Sequence, residues 1–237
     1  MLWDVSFSGP KGVLVGILGP NGAGKSSLLK AALGLIKPLS GKIEFFQQPL
    51  SSVRQKIAYV PQRQSVDWDF PITAIQVVLM GRYGRLGLFG RPRKADREAA
   101  AKALQLVGMA GFADRQISQL SGGQQQRLFL ARALVQNPDI FLLDEPFAGV
   151  DLTTEKEIMA LLKKQKEEGK TIFIVHHDLP TVEEYFDWAI LLKTRLIACG
   201  PVSEVFHADH LAKTFGKMPT VFDEAVSLSV KTPSGYL

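Results

Sequence analysis

Eight residues near the start of the chain, Gly19-Pro20-Asn21-Gly22-Ala23-Gly24-Lys25-Ser26, fit the pattern G-x-x-x-x-G-K-[ST]. What flanks them makes the match constraining. Residues 13–18 before them are an apolar run of buried-strand length, and residues 25–36 after them have the apolar spacing of a helix, closed by Lys37 and Pro38. Strand, glycine loop and helix in that order make a phosphate cradle. The glycines permit a tight turn whose N–H groups converge on phosphate oxygens, and the helix adds the positive end of its dipole. In such a cradle Lys25 reaches the terminal phosphates, the Ser26 hydroxyl joins the shell of a Mg2+ ion, and Ser27 completes the nucleotide-binding stretch.

The rest of the chain repeats the alternation. Strands are expected at residues 42–46 and 57–60, bounded by Gly41 and Pro61. Over residues 73–120 the strand signal vanishes, and residues 95–107 have the alanine-rich composition of a helix. A helix at 123–135, a strand at 140–144, a helix at 154–168 and a strand at 171–175 then follow. Strands alternating with helices predict an α/β fold with a mostly parallel sheet, a phosphate-loop NTPase core carrying a helical insert. The 237 residues divide into a core over 1–69 and 121–221, an insert over 70–120 and a weakly patterned tail over 222–237. Trp3 reads as a packing residue.

Composition narrows the class. No apolar run reaches about 18 residues, so the sequence offers no membrane-spanning helix. Residues 1–12 carry Asp4 and no apolar stretch of the kind a secretory leader needs. One cysteine, Cys199, leaves no internal disulfide and suits a reducing compartment. The formal charge of +5 permits anionic partners without choosing among them. The basic residues Arg82, Arg85, Arg91, Arg93, Lys94 and Arg97, and Lys163, Lys164 and Lys166, read as solvated faces.

The run Ile140-Phe141-Leu142-Leu143 ends in Asp144 and Glu145. A buried strand delivers both acids to the C-terminal edge of the sheet, where open α/β sheets bind ligands, beside residues 19–26. Asp144 is then the candidate Mg2+ carboxylate and Glu145 the candidate base for an attacking water. Leu120-Ser121-Gly122-Gly123-Gln124 supplies a second helix start, with Ser121 and Gln124 spaced as a capping box and glycine N–H groups able to face phosphate.

That last segment resembles the signature of ATP-binding-cassette (ABC) proteins, and the other motifs follow the family's order. Gln62 matches the glutamine that contacts the metal and the attacking water. Ala148-Gly149-Val150-Asp151 matches the loop in which Asp151 couples two sites across a dimer. His177, preceding Asp178, matches the histidine that contacts the γ-phosphate and is chosen over His176 on that ground. The resemblance implies an ATPase using ATP and Mg2+, with Glu145, His177 and Gln62 catalytic and Ser26, Gln62 and Asp144 at the metal. It also implies that Ser121, Gly122, Gly123 and Gln124 act on the nucleotide of an opposite subunit.

A narrower resemblance lies in residues 60–63, 66–71, 78–84 and 146–151, which are similar to the cassettes of manganese, zinc and iron importers. It implies a homodimer on the cytoplasmic face of the plasma or inner membrane, peripheral to it. A transmembrane permease subunit would dock near Trp68, Phe70, Leu86, Leu88 and Phe89, and an extracytoplasmic metal-binding protein would deliver the ion. No nucleic acid is expected. The alternatives are a cassette serving another solute and a soluble cassette ATPase acting on nucleic acid or ribosomes. The family's usual first strand and adenine-stacking aromatic lie before the position of Trp3, so neither is expected in these residues.

Overall fold

A computed structural model describes residues 2–86 and 90–216. In chain order the elements are β1 (Leu14–Leu18), α1 (Lys25–Ala32), the short pair β2 (Glu44–Phe45) and β3 (Gln48–Pro49), α2 (Leu50–Val53) and β4 (Ile57–Val60). Then come α3 (Ala74–Met80), α4 (Tyr83–Leu86), α5 (Lys94–Leu106), α6 (Gly122–Leu134), β5 (Ile140–Asp144), α7 (Leu152–Glu167) and β6 (Thr171–Val175). The last elements are α8 (Val182–Tyr185), β7 (Trp188–Lys193), β8 (Arg195–Pro201), α9 (Val202–Val205) and α10 (Ala208–Phe215). The expected tail at 222–237 lies outside the described residues, as do Leu88 and Phe89.

Six strands form the main sheet in the order β4-β5-β6-β1-β7-β8. All neighbours are parallel except β7 and β8. Every residue of β1 and β5 is buried, which is why these strands appear in the sequence as unbroken apolar runs: helices cover both faces. Alternate residues feed two core layers. Leu14, Leu18, Phe141 and Leu143 pack with Val78, Leu104, Leu128 and Leu162, whereas Val15, Ile17 and Leu142 pack with Leu29 of α1. The helices α3, α5 and α6, between β4 and β5 in sequence, pack on one another.

Several expectations change. The first helix stops at Ala32 instead of residue 36, because Gly34 takes φ 69° and closes it. Gly34 N–H donates to Ala31 O and Leu35 N–H to Lys30 O, both at 2.9 Å, the paired bonds of a Schellman ending. The strand expected at 42–46 shrinks to β2, turned by Phe46 and Gln47 at φ 55° and 60° into a two-strand ribbon outside the main sheet. No strand is expected over 188–201, yet β7 and β8 complete the sheet there around Thr194, at φ 60°.

Arg82 is not a solvated residue. Its Nε donates to Asp96 Oδ1 at 2.9 Å and its Nη1 to Val135 O at 3.2 Å, tying α3, α5 and α6 together, while Arg85 reaches Gln136 O. Hydrogen bonds from the Arg93 backbone and the Arg82 side chain hold the Asp96 carboxyl below its usual range.

Candidate functional site

The strand order fixes the site. Because β4, β5, β6 and β1 are successive neighbours running the same way, their C-terminal ends lie in a row. Gln62 follows β4, Asp144 and Glu145 end β5, His176 and His177 follow β6, and residues 19–26 follow β1. In register, Asp144 lies opposite Val175, which lies opposite Ile17. Four segments far apart in sequence thus meet at one edge, the place where open parallel sheets bind ligands.

The loop after β1 is shaped by close approach as well as by glycine freedom. A Cβ at Gly19 would collide with the carbonyl oxygen of Leu192, in β7. Thr194 N–H holds the loop from the same side, donating to Ala23 O at 3.0 Å. The strand absent from the sequence expectation therefore buttresses the cradle. Gly24, at φ 98°, begins α1 without any side-chain cap, so the helix N–H groups are available to an anion.

Lys25 is 6% exposed, and its Nζ donates to Gly19 O at 2.8 Å and Pro20 O at 3.0 Å. Burial lowers its pKa, against the opposing pull of Glu145 and Asp144. Asn21, Gly22, Gly24, Lys25, Ser26, Ser27 and Glu145 line a cavity of about 210 Å³. A larger cavity of about 370 Å³, between Leu106, Arg127 and Glu157, contains none of these groups.

The carboxylates differ in setting. Asp144 is 1% exposed; Ser26 Oγ donates to its Oδ1 at 2.9 Å and Tyr59 OH to its Oδ2 at 3.5 Å. Burial raises its pKa, with the Ser26 hydrogen bond opposing. Tyr59 is pushed up to about 12 by burial and then by the charge of Asp144. Glu145, at φ 54°, occupies the left-handed region, a strain of about 1–3 kcal/mol for a residue with a side chain. The turn aims its carboxylate between two partners. Gln62 Nε2 donates to Oε2 at 2.8 Å, and His177 Nε2 lies 2.6 Å from Oε1.

The neighbouring histidine is different. His176 is 4% exposed, ringed by Phe147, Tyr185 and Phe186, and burial lowers its pKa to about 4. Its Nε2 lies 2.8 Å from Thr181 Oγ1, whose own hydrogen is directed at Asp178 O. The ring therefore donates from Nε2 to Thr181, whereas His177 is the histidine that reaches Glu145.

Two sets of residues stay outside the cluster. Asp151 caps α7, its Oδ1 accepting from Thr154 N–H at 2.9 Å and its Oδ2 from Thr154 Oγ1 at 2.8 Å. Ser121 and Gln124 cap α6 reciprocally: Ser121 N–H donates to Gln124 Oε1 at 2.9 Å, and Gln124 N–H to Ser121 Oγ at 3.4 Å. Gly122 and Gly123 open the helix behind them. Trp3 leaves 55% of its surface exposed instead of packing, and its backbone N–H donates to Thr194 O. Tyr59 and Thr194 are site neighbours that no local sequence pattern singles out.

A family model described as "ABC transporter" matches residues 2–148. The chain is 58% identical over 226 residues to the manganese transport system ATP-binding protein MntB of Bacillus subtilis, covering 95% of this chain and 90% of that protein. It is 55% identical over 216 residues to the zinc transport system ATP-binding protein TroB of Treponema pallidum, covering 91% and 81%. Among solved structures it resembles a dimeric post-hydrolysis ATP-binding cassette bound to ADP and phosphate, with TM-score 0.74 and 32% identity, covering 85% of this chain and 90% of that one.

Proposed function

The chain belongs to the ABC transporter family as an ATP-binding and ATP-hydrolysing subunit, and from that premise we propose that it drives import of a divalent metal ion, manganese, zinc or iron. Such a subunit works as a dimer with a membrane permease. An extracytoplasmic metal-binding protein would deliver the ion, and this chain would sit peripherally on the cytoplasmic face. The helices of the described residues are none of them long and apolar enough to cross a membrane.

In this reading the triphosphate enters the cavity at residues 19–27, where backbone N–H groups and Lys25 take the phosphate charge. The donor set beside it fits a hard cation: a hydroxyl on Ser26, the buried carboxylate of Asp144 and the amide oxygen of Gln62. Bound there, Mg2+ would neutralise phosphate charge. Glu145 takes the proton of the attacking water. Gln62 and His177 hold its two oxygens from either side, which aims the base and leaves a further lone pair on each oxygen for the water.

Residues 121–124 of the second subunit close over the phosphates. Asp151 and the 74% exposed Leu152 beside it lie where the two copies meet. The permease docks on the helical insert, at 56% exposed Phe70, 45% exposed Met80 and 50% exposed Tyr83. Trp68 drops out of that surface, because its ring packs edge-on against Phe129 with centroids 5.2 Å apart.

The observation that carries the catalytic reading is the convergence of Gln62 and His177 on Glu145 beside the phosphate loop; the metal cargo rests on the relatives. Uptake of manganese, zinc and iron in cells lacking the gene tests both. We expect loss of metal uptake, restored by the wild-type chain and not by Glu145→Gln. Normal uptake of all three metals would assign the cassette to another solute.

A further inference from the structure

Arg63 follows Gln62, yet its guanidinium lies at the start of α6. Arg63 Nε donates to Gln125 Oε1 at 2.7 Å. A Cβ added to Gly122 would stand 3.2 Å from Arg63 Cζ, so the guanidinium rests on the glycine of the signature segment itself. Gln125, 4% exposed, donates onward from Nε2 to Ile117 O at 3.3 Å. It thereby clamps both sides of residues 121–124, with Arg63 attached to the clamp.

The rest of the Gln62 segment is fixed to the same helix. Tyr59 O, ahead of Gln62, accepts from Arg132 Nη2 at 3.1 Å. Arg63 O, behind it, accepts from Trp68 Nε1 at 2.9 Å. The Trp68 ring packs on Phe129, and the Arg132 guanidinium lies 4.5 Å over that same ring. Stabilising α6 does not account for the position of Arg63, since a cation is unfavourable at the positive end of a helix. Its placement makes sense as a strut between Gln62 and residues 121–124.

We propose that Arg63 is a positioning residue for the nucleotide site of the opposite subunit, transmitting the position of its own Gln62 to the signature segment that its own chain offers across the dimer. The inference rests on the reading that residues 121–124 act in trans. A shift of Gln62 on nucleotide binding would pass through Arg63 to the start of α6, so occupancy of one site would adjust the closure of the other. This route is separate from any coupling through Asp151.

Mixed dimers of two differently tagged chains test it. Glu145→Gln in one chain confines turnover to the site whose Lys25 and Glu145 come from the other chain and whose signature comes from the substituted one. Arg63→Met on the Glu145→Gln chain should lower ATP turnover by about tenfold or more, the scale of a lost charge-assisted hydrogen bond. On the hydrolysing chain it should change turnover much less. Gln125→Met, which removes the acceptor from the other side, should reproduce the asymmetry. Equal loss in both placements, or loss only on the hydrolysing chain, would overturn the proposal. Ser121→Glu, which aims a carboxylate at phosphate, separates the two levels. If it too acts only from the hydrolysing chain, the composite site itself fails; if it acts in trans while Arg63→Met does not, only the role of Arg63 falls.

Discussion

At the start of α1 the chain leaves helix N–H groups without a side-chain cap, behind Gly24 at φ 98°, and surrounds them with Lys25, Asp144 and Glu145. At the start of α6 it does the opposite, closing the first turn with Ser121 and Gln124 and placing no titratable side chain within residues 121–124. Both are helix ends suited to phosphate, but the first is loaded with its own cation and carboxylates, whereas the second is closed by its own uncharged caps and its cation, Arg63, comes from outside the segment. The contrast implies a division of labour. In the proposed reading, affinity and chemistry belong to the loop after β1, and the start of α6 would supply shape and closure to a neighbour.

The largest effect should come from the loaded side. Glu145→Gln keeps the shape of the base and its contacts with Gln62 but cannot accept a proton, so steady-state hydrolysis should fall by roughly 100- to 10,000-fold with ATP still bound. Turnover near normal would move the base elsewhere, and His177 would be next in line. Lys25→Ala should weaken ATP binding by about 100-fold in titration calorimetry, the loss of a buried charge-assisted contact. An unchanged affinity would erase the distinction between the two helix ends.

The capped side should behave differently. Ser121→Ala removes a cap and should cost about 1 kcal/mol of stability in chemical denaturation, while ATP affinity of the isolated chain stays as it was. A drop in that affinity comparable to the effect of Lys25→Ala would mean that residues 121–124 serve their own chain's nucleotide.

How much of this could be read before folding follows the same contrast. The loaded side is written locally. Residues 19–26 carry their own strand and helix, and Asp144 and Glu145 end an apolar run whose buried faces leave no polar position to interrupt it. Their meeting with Gln62 and His177 is not local, because it depends on the strand order β4-β5-β6-β1, which no single segment encodes. The hairpin β7–β8 escapes notice because its turn uses Thr194 at φ 60° where a glycine or asparagine would have marked it. Arg82 looks like one member of a basic stretch, and only packing reveals Asp96 as its partner. Arg63 is the extreme case. Its contact with Gln125 spans 62 positions, and nothing in its neighbours' identities announces it.

A separate effect, on stability and not on turnover, concerns the framework behind the loaded side. His176 has a folded pKa of about 4 against 6.5 unfolded, so the unfolded chain takes up a proton first as pH falls. Its contribution is fully present above about pH 6.5 and is lost as pH drops toward about 4, on the order of 3 kcal/mol in all. Denaturation midpoints across that window should fall more steeply for the wild type than for His176→Gln. Equal slopes would show that His176 titrates alike in the folded and unfolded chain.

Whether the two helix ends face each other across two chains is the central question, and proximity can be measured. In a Cys199→Ser, Glu145→Gln background, single cysteines replace Asn21 in one tagged chain and Ser121 in the other. Ser121 is preferable to Gly122, where a side chain would press on Arg63. A short bis-maleimide spans the nucleotide more readily than a disulfide, whose Cα atoms must approach within about 7 Å. A cross-linked heterodimer should form with ATP and Mg2+, and little of it without nucleotide. Absence of the heterodimer with ATP verified as bound, together with internal linkage in a single chain carrying both cysteines, would show that each subunit completes its own site.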